Sequence, residues 1–370
     1  MNPFPSVDPI PLPAPVWLFK VLHHLTFALH LVSVELLLGG LMLGIMFSAL
    51  GRMQNSRNMV QAGGMIAHRL PTVTAFLINL GVPPLLFAQV LYGRALYTSS
   101  VLIGAYWISV IFLLMGSYYG LYYSAKRAEA GKSWTATGLA ALLLALTIAF
   151  IYSNNMTLML RPQVWADMYR HSPGGVQWNT TDPALWPRWL FFVVGSFSSA
   201  GAALMLLAQR AHFEDDLRRL LFRAGGAAMT VGLLCQMVCA WMAIAAQPAG
   251  IVTTVMQNAI YLSSAYGWIA TAVAGVLLAA WCALSGTPRI TIAVSEAVLV
   301  FLNIAATVMV RDGIRDVTLR AAGFKVWDRQ VVTNWSVVGL FLILLVATLG
   351  AIGYLIRVVA KARLMKETYA

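Results

Sequence analysis

Charge is scarce in this chain. Only 10% of its 370 residues are Asp, Glu, Lys or Arg, whereas 60% are hydrophobic and the mean hydropathy is +0.76. A soluble domain of this length cannot hide so much apolar surface, but lipid accepts it. Acids are scarcer than bases, 13 against 25, which leaves a formal net charge of +12. Such a surplus raises nucleic acid as a partner, but the bases are scattered through short loops without a basic stripe or a binding motif. No nucleic acid is therefore expected, and the surplus reads as membrane topology. Cysteine is nearly absent: Cys235, Cys239 and Cys282 all lie in apolar segments. They form no CxxCH for covalent haem and no CxxC cluster for iron–sulfur or zinc. Cys235 and Cys239, at i and i+4, read as small packing residues. The first fifteen residues, "MNPFPSVDPIPLPAP", contain no base. A cleavable signal peptide needs one ahead of its apolar core, so none is expected. No internal repeat stands out.

What is present is long apolar runs. A helix needs roughly 20 apolar residues to cross the hydrocarbon core, and nine segments qualify: 16–50, 70–93, 100–125, 134–160, 187–209, 219–246, 253–284, 290–310 and 334–358. The fold class expected is all-α, a polytopic membrane bundle of about nine transmembrane helices. Fifteen of the 25 Lys and Arg residues fall on the inner side if the N-terminus is outside, so the N-out, C-in orientation is expected. The organisation is then an outer segment 1–15, a four-helix bundle 16–160, an outer loop 161–186, a second four-helix bundle 187–310, an outer loop 311–333, and a ninth helix with a cytoplasmic tail, 334–370. The location implied is the inner membrane of a bacterium, with the bilayer as the first partner.

The first span carries "VLHHLTFALHL", three of the six histidines of the chain on about three turns. His23 and His30 are seven residues apart, so they lie about 20° apart around the helix and about 10 Å apart along it. His24 points to a neighbouring face, which Glu35 shares. One helix cannot supply both axial ligands of one haem, because those ligands approach the iron from opposite sides. His30 lies deepest, where an unpaired polar group is costly, and is the favoured ligand. His23 and His24, nearer the start of the span, are further haem-binding candidates, for a separate haem or for a propionate; the competing reading is a headgroup-level or hydrogen-bonding residue. Glu35 and Glu296 are the carboxylates expected within the membrane, candidates for a proton or ion path; the alternative for Glu296 is the inner interface beside Arg289. Lys20 and Arg94, at outer span ends, are explained by snorkelling. Gly81, Pro83 and Pro84 predict a mid-membrane kink in the second span.

The two longer connections mix Arg, Asp and Trp. Arg161, Trp165, Arg170, Trp178, Trp186 and Arg188 form a candidate surface for a periplasmic partner or a quinone head-group, since Arg and Trp are enriched in binding hot spots. The competing reading is that the aromatic residues anchor helices at the headgroups.

"ALHLVSVELLLGGLMLGIMF" followed by "RLPTVTAFLINLGVPPLLFAQVLYG" resembles the first two helices of subunit I of the cytochrome bd quinol oxidases. "RPQVWADM" and "WNTTDPALWPRWLFFVVGSFSSAGAALML" resemble the loop before helix five of that family and the helix itself. The resemblance covers about the first 210 residues. It implies nine helices with the N-terminus out, and a haem-ligating histidine at His30. The departures are as informative. The helix-five histidine of the family falls near Phe191, its helix-three glutamates have no counterpart in "YWISVIFLLMGSYYG", and its long quinol loop is replaced by "AAQPAGIVTTV". The GRQPW-type signature is missing.

The expectation is therefore a bd-like subunit of a respiratory electron-transfer complex, with no catalytic residue of its own, that conducts electrons between membrane quinone or b haem and a periplasmic redox partner. Haem b and quinone are the implied cofactors; other membrane and periplasmic redox subunits, c-type cytochromes among them, are the implied partners. Two alternatives stand beside it: a haem-free structural anchor, and an ion or proton transporter.

Overall fold

A computed structural model describes residues 4–6 and 11–368. The expected segment 1–15 thus lies partly outside the described residues, as do the last two residues of 334–370. Eleven helices follow one another: α1 (Val16–Met53), α2 (Arg57–Leu102), α3 (Gly104–Glu129), α4 (Thr135–Leu158), α5 (Trp165–His171), α6 (Leu185–Leu207), α7 (Asp215–Ala245), α8 (Ile251–Met256), α9 (Ala259–Ser285), α10 (Ile290–Ala321) and α11 (Trp335–Thr368). Eight of them are long and apolar enough to cross a membrane, and the all-α polytopic bundle is as expected. The ninth expected span coincides with the start of α11, whose described apolar stretch is Trp335–Ala351.

α1 is the hub. It packs against α2, α4, α6 and α10, so it joins the two expected four-helix groups. At 1.5 Å per residue its 38 residues run to about 57 Å, well beyond a hydrocarbon core of about 30 Å. α6 and α7 approach most closely at Gly201 and Gly225. A Cβ on Gly201 would lie 2.9 Å from the Met229 nitrogen, and one on Gly225 would lie 3.1 Å from the Met205 nitrogen. Small residues let membrane helices pack backbone to backbone where no hydrophobic force draws them together.

α2 runs as one helix through Pro71, Pro83 and Pro84, and its non-helical residue is Tyr92, at φ −124° and ψ 19°. Two expectations are corrected. The expected span 253–284 is two helices, α8 and α9, with Asn258 capping the second through its Oδ1, which accepts from the Ile260 N–H at 2.9 Å. Most consequentially, α10 continues to Ala321, so residues 311–321 are helix rather than outer loop. An uninterrupted apolar window ends at Arg311, but the helix does not: charges at helical spacing can be paired inside the bundle.

At the end of the bundle where α1 starts and α10 ends, three chain segments fold into a cap. Leu12 pairs with 330–332 as a short parallel bridge, its N–H donating to the Gln330 carbonyl at 2.8 Å while its own carbonyl accepts from Val332 at 2.9 Å. Phe4 packs edge-on against Trp165 at 5.4 Å and against Phe324 at 5.3 Å. The connections 161–184 and 322–334, expected to share a face, thus meet at one end. If this is the outer end, single cysteines introduced at exposed Thr180 or Gln330 will react with an impermeant maleimide added outside intact cells. Reaction only after the membrane is opened would reverse the orientation.

Candidate functional site

The cap covers a buried cluster of charges that joins α1, α2 and α10. Lys20 is 4% exposed. Its ammonium donates to Tyr92 Oη at 2.5 Å, Asp312 Oδ2 at 2.8 Å and Asp316 Oδ2 at 2.6 Å, so all three of its donors are used. Tyr92 Oη lies 2.9 Å from Asp312 Oδ1 and 2.7 Å from Asp316 Oδ1. The break in α2 falls at the residue whose hydroxyl enters the cluster. Arg315 pairs with Asp312 and stacks on the Tyr92 ring, 4.0 Å from its centroid. His24 Nε2 completes the set, 3.1 Å from Asp312 Oδ2. Lys20 is therefore not a snorkelling residue, and Asp312 and Asp316 join Glu35 and Glu296 as carboxylates of the membrane helices. A signal for this was present in "RDGIRD": Asp312, Arg315 and Asp316 sit at i, i+3 and i+4, one face of a helix.

One turn deeper, α1 turns His23 and His30 against α2. His23 Nδ1 is 3.0 Å from the Pro84 carbonyl oxygen, and His30 Nδ1 is 3.1 Å from the Leu77 carbonyl oxygen. The seven-residue spacing on α1 is answered by a seven-residue spacing on the antiparallel α2. A carbonyl only accepts, so Nδ1 carries the proton in both rings and Nε2 keeps its lone pair. No partner for either Nε2 is found among the described residues. Gly81 makes room for His30: a Cβ there would lie 2.8 Å from His30 Cε1. Phe27 sits between the two histidines, parallel to the His23 ring at 5.7 Å and 6.4 Å from that of His30.

On Phe27 rests Arg311, its guanidinium carbon 4.7 Å from the ring centroid. Arg311 Nε is buried without a hydrogen-bond partner, and no ion pair reaches the side chain among the described residues. Arg188, half-buried on α6, is near enough to repel it. Asp182, which also accepts from the Ala184 N–H at 2.9 Å, lies near enough to Arg188 to offset part of its charge without an ion pair. Lys20 and Arg315 are balanced by Asp312 and Asp316; Arg311 and Arg188 make no ion pair among the described residues. An uncompensated charge at this depth is costly and calls for an anion.

The two expected intramembrane glutamates lie apart. Glu35 Oε2 accepts from Ser199 Oγ on α6 at 2.5 Å. Glu296 faces the notch at Gly275 on α9, and neither of its buried oxygens has a partner. Arg289 instead lies over the Trp281 ring at 5.7 Å. No hydrogen bond among the described residues links Glu35 to Glu296.

The six residues of the expected docking surface divide. Trp165 is buried, its indole donating to the Leu158 carbonyl at 3.0 Å. Arg161 holds Asn179 and Thr181, and Trp178 stacks on Tyr106 at 3.7 Å. Trp165 and Trp178 fasten the connection onto α4 and α3, and Arg161 ties its two ends together. Trp186, 48% exposed, and Arg170, paired with Asp167, face outward, whereas Arg188 turns toward Arg311.

No protein-family model matches this sequence, and no curated protein matches it. Among solved structures the chain is similar to the bd oxidase from Geobacillus thermodenitrificans, with a TM-score of 0.73 over 94% of this chain and 99% of that one. Identity is 10%, so the likeness is one of fold. A haem, which the sequence resemblance implies, would meet a partial fit here. His30 has the tautomer of an iron ligand, and Arg311 and Arg188 are placed to balance carboxylates. Phe191, at the place expected for the second haem ligand of the family, is buried against Phe192 and Trp268 and has no donor atom.

Proposed function

We propose that this chain is an integral membrane subunit of a bd-like respiratory complex that conducts electrons between membrane quinone or a b haem and a redox partner at the cap. The observation that carries this reading is His30 with Nδ1 tied to Leu77 and Nε2 unpaired, on the same side of α1 as two arginines that make no ion pair among the described residues. A bound haem would supply one-electron exchange between ferric and ferrous iron. The protein would do the rest. His30 would present Nε2 to the iron, with Leu77 fixing the ring as outer partners of metal-bound histidines do. Arg311 and Arg188 would balance the haem carboxylates. Phe27 would form an apolar wall, and the cap would keep water from this face. Trp186 and Arg170 are the exposed candidates for contact with a periplasmic redox subunit such as a c-type cytochrome. The quinone and the inner-membrane location belong to the same proposal.

The buried Phe191 favours a second reading, a haem-free anchor that keeps the packing without the chemistry. A reduced-minus-oxidised absorption spectrum of the complex, isolated gently with its partners, separates the two. The expected result is a b-type band carried by this subunit. A colourless subunit in an otherwise complete complex leaves the anchor.

A further inference from the structure

At the cap end, a pocket of about 300 Å³ is lined by Asp316, Arg320, Lys325, Val326, Trp327 and Asp328. It has room for several water molecules. Asp316, whose carboxylate Lys20 holds, is among its lining residues, and the partly exposed Trp327 ring faces the same ammonium at 5.8 Å. From Asp316 two hydrogen bonds run inward, 2.7 Å to Tyr92 Oη and 2.9 Å from there to Asp312 Oδ1; beyond them His24 Nε2, which makes no hydrogen bond of its own, lies 3.1 Å from Asp312 Oδ2. An ion cluster that only clamps helices needs neither an opening to the surface nor a hydroxyl and an imidazole in series.

We propose that Asp316, Tyr92 and Asp312 form a proton-exchange path between the aqueous pocket at the cap and His24. A hydronium ion in the pocket gives a proton to the Asp316 carboxylate and is left as water. Tyr92 takes that proton on Oη as it passes its own to Asp312, and Asp312 delivers one to Nε2 of neutral His24. Both carboxylates and the tyrosine return to their starting forms, so the sum is one proton moved from hydronium to imidazole. Lys20 remains charged throughout and keeps the three acceptor oxygens within reach of one another. The groups facing His24 and Asp312 are Lys20 and His23 on α1, Tyr92 on α2, Arg188 on α6, Tyr261 on α9, and Arg311, Arg315 and Asp316 on α10. If the electron-transfer reading holds, the path lets charge arriving beside His23 and His30 be offset by a proton from the cap side. The path itself does not depend on that reading.

The test is the rate at which the His24 ring N–H exchanges with water, read by NMR on the full-length ¹⁵N-histidine-labelled protein in lipid nanodiscs. Tyr92→Phe keeps every charge and removes the middle hydroxyl; Asp316→Asn blocks the outer end. Each is expected to slow the exchange roughly tenfold, the change in rate for a barrier raised by the ~1.4 kcal/mol of a lost hydrogen bond. A purely structural cluster predicts the reverse, because a loosened clamp admits water and speeds exchange. Unchanged or faster exchange in Tyr92→Phe overturns the path, even if Asp316→Asn fails to fold. The measurement reads the same way whether or not the protein carries a haem, so a colourless subunit with slowed exchange would sink only the electron-transfer reading.

Discussion

Lys20→Met is expected to be among the most destabilising single substitutions in this protein, at about 3–5 kcal/mol, the usual cost of breaking a buried ion pair by removing one partner. The methionine fills much of the lysine volume, so the loss measured is one of charge. Asp312 would keep Arg315, but Asp316 would keep only Tyr92, and a carboxylate would be left buried in the bundle without a cation. The double variant Lys20→Met/Asp316→Asn removes one charge of each sign and is expected to recover most of the loss, the signature of coupling between neighbours. Thermal unfolding of both variants in nanodiscs measures this. Near-equal unfolding of wild type and Lys20→Met would mean that the cluster does not hold α1, α2 and α10 together.

His30→Ala is expected to abolish the b-type absorbance, whereas His212→Ala, on an exposed loop beside Phe213, leaves it intact. The size of the effect follows from position: His23, whose Nε2 is also without a partner among the described residues, lies two turns away along α1, about 10 Å, too far to replace the imidazole at that place. Truncation also frees the Leu77 carbonyl, but a carbonyl has two lone pairs and tolerates the loss of a side-chain donor. Folding should therefore survive, and the loss of colour would report ligation. An unchanged spectrum in His30→Ala would move the haem, if one is present, away from this face of α1.

Much of the fold was legible because lipid imposes a simple rule. Every spanning segment must be an apolar helix of sufficient length, so Leu-, Ala- and Val-rich runs reveal the eight spans, although α2 overruns the expected 70–93 at both ends and α10 runs on past 310. The facing of His23 and His30 was legible too, because a spacing of seven is two turns of any helix. The bd-like fold was visible in the first two helices and in the stretch leading into α6, although identity to the solved bd oxidase is only 10%. The packing role of Gly81 was not legible: beside two prolines it signals a kink, whereas in the fold it also makes room for the His30 ring on another helix.

What the sequence by itself determined is the class of the molecule, the number and approximate limits of its long helices, and the shared face of two histidines. These follow from properties each segment has alone: hydropathy, length and helical period. What only the tertiary structure decided is where charge is tolerated. Lys20 and Asp312 are 292 residues apart in the chain and 2.8 Å apart in the fold. Read locally, each is a penalty that ends a span, so 311–321 was taken for a loop. Paired, they cost far less, and α10 continues as helix. The same distant neighbours also distinguish a satisfied cation from an unsatisfied one: Arg315 has Asp312 beside it, and Arg311, four residues earlier on the same helix, has Phe27 and another arginine. Electrostatic energy depends on distance in space, and the fold alone sets that distance.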